Sequence, residues 1–198
     1  MAHIKVVRRS MRPEEWINLR FGWLKRYIYS EKNEITNFVI KDARQVSEMN
    51  FEYYDDEYRP LRRGDMYFTP DGTAFIEAEY ELPEHLDGKK YCFSLKTAAE
   101  MIVKVNGVYV GGIDPNRERM LLSPYIEENE VLHFDMMGYN RSKPDDERNP
   151  ESLSVRGCRQ IFEGAYICTI NNDVQSLVYD FELLLDIAKS ELFNEDYR

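Results

Sequence analysis

Three histidines, three cysteines and a surplus of carboxylates are the side chains of this chain that metal or acid–base chemistry would use. His3, His85 and His133 stand far apart, with no His-x-x-x-His pair among them. The sequence therefore writes no zinc site, and no metal ligand is assigned. Cys92, Cys158 and Cys168 are odd in number and form no Cys-x-x-Cys pair. They read as reduced thiols of a cytoplasmic protein, each a small buried hydrophobe. No Gly-x-Ser-x-Gly elbow and no phosphate-cradling loop occurs. Adjacent acids, Asp55-Asp56 and Asp145-Asp146, have the groups of a glycosidase pair. In a chain so rich in acids, adjacency describes a solvated loop instead. No catalytic and no cofactor-binding residue is assigned.

Binding chemistry is better represented. The most distinctive string is Val105-Asn106-Gly107-Val108-Tyr109-Val110-Gly111-Gly112-Ile113-Asp114-Pro115-Asn116-Arg117. Asn-Gly between two alternating runs marks a type I′ hairpin, because both central residues need positive φ. Gly111-Gly112 then softens a bend into a loop. Asp114, Asn116 and Arg117 have the groups to hold a polar ligand. They have equally the groups to hold their own loop through Asx-turn hydrogen bonds and ion pairs. A polar stretch over residues 138–157 is longer than an ordinary connection and offers a contact surface. Tyr139, Asn140 and Arg141 at its start complete the candidate ligand or interface set.

These groups need a scaffold. Arg12-Pro13-Glu14-Glu15 reads as a helix start, followed by Trp16, Leu19, Trp23, Tyr27 and Ile28 at helical spacing. Residues 1–50 are expected to be a helical lead, with Asn33 to Ile40 ambiguous between helix and strand. Residues 52–65 read as a charged, tyrosine-rich surface connection. From Met66 the period becomes two, as in Ile76, Ala78, Tyr80 and Leu82 against Glu77, Glu79 and Glu81. Short strands with turn signals between them predict an antiparallel sandwich over residues 51–172. Ile76, Tyr80, Phe93, Val103, Val105 and Phe134 should point inward, and His133 outward.

The last expected element is a helix over residues 173–198, with Asp173 as its cap. Leu177, Val178, Phe181, Leu184, Leu185, Ala188 and Leu192 repeat at helical spacing, and Leu183 and Ile187 widen the apolar arc. So broad an arc asks for a second partner. Leu177, Phe181, Leu184, Leu185 and Ala188 are therefore the candidate domain interface, and a homo-oligomer is expected.

Composition bounds the classes. The chain has 198 residues, which is a prior of one domain with attachments. Its formal charge is −10, the balance of 26 basic and 36 acidic residues. That excludes a general nucleic-acid binder and docking on anionic lipid by charge. No apolar stretch approaches the ~20 residues of a membrane helix, and the first residues have no secretory core.

Two stretches resemble known families. The strand, Val-Asn-Gly and Gly-Gly-Ile-Asp-Pro-Asn-Arg of residues 105–117 resemble the galactose-binding-like jelly-roll sandwich found in many glycoside hydrolases. Residues 173–189 resemble the helix that precedes the catalytic domain in cytosolic-type α-mannosidases of glycoside hydrolase family 38. The resemblance implies a mainly β jelly-roll sandwich with flanking helices, serving as the N-terminal non-catalytic part of such an enzyme. It implies that zinc and the nucleophilic aspartate belong to the catalytic domain after this helix, so no residue of this chain takes a catalytic role from it. The parent reaction would be zinc-dependent hydrolysis of α-mannosides. Rival readings are an autonomous carbohydrate-binding module and a free-standing protein-interaction domain.

Overall fold

A computed structural model describes residues 13–68, 72–97, 99–128, 130–140 and 160–193. The chain divides into a β unit, residues 31–169, and a helical unit formed by residues 1–30 and 170–198. Among the described residues the fold is mainly β, in antiparallel sheets, with two α-helices.

The larger sheet of the β unit is ordered β3-β2-β6-β11-β8-β9, with β4 added on β2. Its strands are β2 (Val39–Ser47), β3 (Asn50–Tyr53), β4 (Arg59–Pro60), β6 (Thr73–Glu81), β8 (Glu100–Val105), β9 (Val108–Ile113) and β11 (Val131–Tyr139). The alternation in β6 explains its place. Ala74, Ile76 and Ala78 are buried while Glu77 and Glu79 are exposed, so one face meets core and the other water. β11 is the hub, paired with β6 from Val131↔Glu81 to Tyr139↔Thr73 and with β8 from Phe134↔Val105 to Tyr139↔Glu100.

The smaller sheet is ordered β1-β13-β7-β10, from β1 (Tyr29–Ile35), β7 (Lys90–Leu95), β10 (Arg119–Leu121) and β13 (Ala165–Ile170). Phe93 on β7 stacks on Phe134 on β11 with ring centroids 4.7 Å apart, so the two sheets share one core. That is the arrangement of a sandwich. A two-stranded ribbon, β5 (Met66–Tyr67) with β12 (Gln160–Ile161), feeds Tyr67, Phe68 and Phe162 into the same core. Gly138 on β11 makes room for this, since a Cβ there would lie 2.5 Å from Phe68 Cζ. Ile76, Phe93, Val103, Val105 and Phe134 are buried as expected, and Tyr80 is half-buried against the core.

The helical unit holds α1 (Pro13–Lys25) and α2 (Asn172–Phe193). Among the described residues no helix is long and apolar enough to cross a membrane. Two expectations need correction. The helical lead ends at Lys25, where three successive i→i−3 bonds, beginning with Arg26 N–H to Trp23 C=O at 3.1 Å, tighten the last turn. Residues 29–47 are then largely strand, and the ambiguous segment resolves to β2, with Ile40 fully buried. The sandwich thus begins near residue 31 instead of 51. The cap of α2 is Asn171, not Asp173. Its Oδ1 accepts the Val174 N–H at 3.1 Å, and its carbonyl accepts the first helical bond from Gln175 at 2.9 Å.

Candidate functional site

The string with the hairpin builds one wall of a groove. Asn106 and Gly107 have φ of 50° and 79°, both positive, as a type I′ turn requires. Asn106 also fastens the turn to β11. Its Oδ1 accepts the His133 N–H at 2.8 Å, and its own N–H donates to the His133 carbonyl at 2.9 Å. Past the turn, β9 carries a bulge opposite Val103 and Lys104 and then runs through Gly111 and Gly112. A Cβ on Gly112 would lie 3.3 Å from the Met101 carbonyl oxygen, so glycine lets the strand pass closely. Asp114 follows, and its Oδ1 accepts the N–H groups of Asn116 at 2.7 Å and Arg117 at 3.0 Å. The loop-holding role is therefore real, and it fixes the position of this wall.

Register builds the floor. Phe75 lies opposite Met137, Met137 opposite Ile102, and Ile102 opposite Gly112. In the next row Thr73 lies opposite Tyr139 and Tyr139 opposite Glu100. These residues point away from the core by alternation. The β2–β3 hairpin supplies the other wall through Gln45, Met49 and Phe51. Phe51 packs edge-on against Phe75 at 5.1 Å. The resulting groove has a volume of about 480 Å³, with Asp114 and Asn116 on its rim. An apolar and aromatic floor under a few fixed polar groups is the layout of a small-molecule site. Beyond it on the same sheet, Lys41 Nζ sits 4.4 Å from the Tyr53 ring centroid, and burial with a Glu77 hydrogen bond pushes the Tyr58 phenol well above its usual range.

The structure sorts the sequence candidates. Asp114, Asn116 and Tyr139 line the groove, whereas Arg117 is exposed beside it. Asn140 is corrected. It is 0% exposed, with its N–H on the Gly72 carbonyl at 3.0 Å, so it belongs to the interior and not to a ligand surface. Arg141 and most of the polar stretch over 138–157 lie outside the described residues, as does Cys158. Gln45, Met49, Phe51, Ile102 and Met137 were not among the expected site residues. Their signal was the register, which puts outward apolar residues of four strands side by side.

Of the histidines, His85 and His133 lie among the described residues and His3 lies outside them. His85-Leu86-Asp87 and His133-Phe134-Asp135 have His-x-Asp spacing, a pattern of some zinc sites. His133 does point outward, and its Nδ1 meets Glu79 Oε1 at 2.9 Å. Among the described residues no group of three or more His, Cys, Asp or Glu side chains could hold a metal ion.

The helical unit offers a second surface. Phe21 and Phe181 meet at 6.4 Å, and Lys25 pairs with Glu182 at 2.5 Å, joining α1 to α2. Trp16, Ile17, Phe21, Leu24, Leu177 and Phe181 then line an apolar hollow of about 620 Å³. The Arg20 guanidinium lies over both Trp16 and Trp23, at 5.7 and 4.9 Å from their rings. Of the interface candidates, Leu177, Phe181 and Leu184 are exposed and Leu185 is half-buried; the Ala188 side chain lies outside the described set. Trp16 and Ile17, the opposite wall, were not on that candidate list.

No family model and no curated protein matches the chain. Solved structures do. A β-glucuronidase from glycoside hydrolase family 2 matches with a TM-score of 0.45 and 17% identity, over 71% of this chain and 18% of that one. The β-glucuronidase of Faecalibacterium prausnitzii matches with a TM-score of 0.45 and 12% identity, over 70% and 31% of the two chains. The rhamnosidase from Novosphingobium sp. PP1Y matches with a TM-score of 0.42 and 11% identity, over 71% and 15%. The chain spans less than a third of each of these structures, and none of the three is an α-mannosidase.

Proposed function

We propose that the chain is a non-catalytic accessory β-sandwich of a glycoside-processing enzyme, which docks its partner through the face of α1 and α2. The observation that carries this reading is the apolar hollow of Trp16, Ile17, Phe21, Leu177 and Phe181, flanked by exposed Leu184. Contiguous apolar surface of this kind marks an interaction site. The partner of first choice is a catalytic domain, which would supply zinc and the reacting carboxylates if the parent is an α-mannosidase. That parentage rests on the resemblance of residues 173–189. A cytoplasmic location, with thiols kept reduced, belongs to the same proposal.

Without such a partner the face takes a second copy, most simply about a two-fold axis. Trp16 and Trp23 are the two tryptophans of the chain, so tryptophan emission reports on α1 alone. Raising the concentration should shift that emission to the blue as the sedimentation coefficient rises, and Phe181→Asp should abolish both changes. A wild type that stays monomeric with unshifted emission at high concentration overturns docking through this face.

The groove favours a second reading, recognition of a carbohydrate. Ring and thioether carbons of Phe51, Met137 and Tyr139 would meet the C–H face of a sugar, with Glu100 and Asn116 on its hydroxyls. Titration with mannosides, followed by calorimetry, checks it. Binding lost in Tyr139→Ala, with tryptophan emission unmoved, assigns the sugar to the groove.

A further inference from the structure

Two of the three thiols meet. Cys92 on β7 and Cys168 on β13 sit on neighbouring strands of the smaller sheet, 2% and 1% exposed. Their side chains hydrogen-bond to each other. Both lie outside the central core cluster, which takes Tyr91, Phe93 and Leu95 from β7 and Ala165 and Ile167 from β13. Alternation therefore turns both sulfurs to the opposite face of the same sheet. Two sulfurs in hydrogen-bond contact on neighbouring strands have the proximity that a disulfide requires.

We propose that Cys92 and Cys168 are a dithiol that a peroxide closes into a disulfide between β7 and β13. Cys168 is the attacking sulfur. The hydrogen bond from Cys92 lowers its thiol against the opposing effect of burial, with help from the charges of Lys32 and Arg119. Cys92 is driven the other way by donating that bond and by its burial. The Cys168 thiolate attacks one oxygen of hydrogen peroxide, breaking the O–O bond and leaving a sulfenic acid and hydroxide. The Cys92 sulfur then attacks the sulfenic sulfur, forming the S–S bond. The sulfenic hydroxyl leaves and takes up the Cys92 proton as water. Two thiols are oxidised, one peroxide is reduced, and two waters form once the first hydroxide is protonated. A small oxidant suits sulfurs this deeply placed, because it needs only a brief local opening to reach them.

The test uses the full chain. Trypsin places the three cysteines in separate peptides, residues 91–96, 157–159 and 160–189. The folded protein is treated with hydrogen peroxide, blocked with N-ethylmaleimide after unfolding, and digested without reductant. The expected product is the 91–96 peptide joined to the 160–189 peptide, lighter by two hydrogens than their sum. Dithiothreitol should separate them, Cys158→Ser should leave the product intact, and Cys92→Ser should eliminate it. The oxidised protein should also melt at higher temperature than the reduced one, since a link closing so long a loop restricts the unfolded chain. Recovery of Cys92 and Cys168 as maleimide adducts after oxidation, or of Cys168 joined to Cys158 instead, overturns the proposal.

Discussion

Phe134 and Phe181 are the same side chain in opposite situations. In the β unit Phe134 is 2% exposed and stacked on Phe93. In the helical unit Phe181 touches Phe21 yet stays 43% exposed, and Trp16 and Leu184 are 46% and 61% exposed. The sandwich completes its own burial because each sheet has one apolar face and the other sheet covers it. The helix pair does not, because the apolar arc of α2 is wider than α1 can cover. The first region shows what holds this chain together, and the second leaves apolar side chains in water.

The largest effect that tests this contrast is a matched truncation. Phe134→Ala should cost about 3–5 kcal/mol in urea unfolding, from lost transfer energy plus a cavity. Phe181→Ala should cost about 1 kcal/mol or less, nearer to a surface substitution. Equal losses would mean that the helical face is as closed as the core. A smaller effect sharpens the account of α2. Asn171→Ala should destabilise by about 1 kcal/mol, as loss of an N-cap does, whereas Asp173→Ala should change far less. Thermal melts followed by circular dichroism check the pair, and the reverse ranking would return the cap to Asp173.

The smallest effect is a pH dependence within the β unit. Lys89 Nζ donates to both carboxylate oxygens of Glu31, at 2.9 and 3.1 Å. The Lys89 bond, with a second from Thr169, holds the Glu31 carboxyl below its usual range. A lowered carboxylate stabilises the folded state above the unfolded pKa, and that contribution is lost as pH falls through the folded value. The pair is solvent-exposed, so salt screens it. Comparing Lys89→Met with wild type on melts through the acid range should show a slight loss at neutral pH that vanishes in acid. A difference that grows on acidification contradicts the assignment.

Much of this was legible from alternation. β6, β8 and β11 each carry a clean in-out pattern, so Ile76, Val103 and Phe134 were placed in the core from sequence. Asn106-Gly107 fixed the hairpin because few residue pairs tolerate two positive φ values in succession. β1 was hidden for the opposite reason. It is an edge strand, Tyr-Ser-Glu-Lys-Asn-Glu-Ile, in which Ile35 alone is fully buried. Pairing with β13 holds it, and pairing partners are not written in a local pattern. The groove was half legible. Asp114, Asn116 and Tyr139, singled out for their polar groups, do line it, but Gln45 and Phe51 arrive through register, which depends on strands distant in sequence. Asn140 misled because a polar side chain at the edge of a polar stretch looks exposed until its backbone partner is known.

The strand order of the smaller sheet has a consequence for the timing of folding. β8 and β9 are joined by two residues, so their hairpin can close as soon as both are synthesised. β1 must wait for β13, which lies at the other end of the sandwich sequence. Contacts of such long separation slow the rate-limiting step. On the ribosome, the larger sheet can therefore assemble while its partner sheet is still missing its central strand. During that interval Phe93 and Phe134 are covered incompletely, and the nascent chain is most exposed to misassembly with its neighbours. The last strand to emerge is thus the one that ends the chain's vulnerable period.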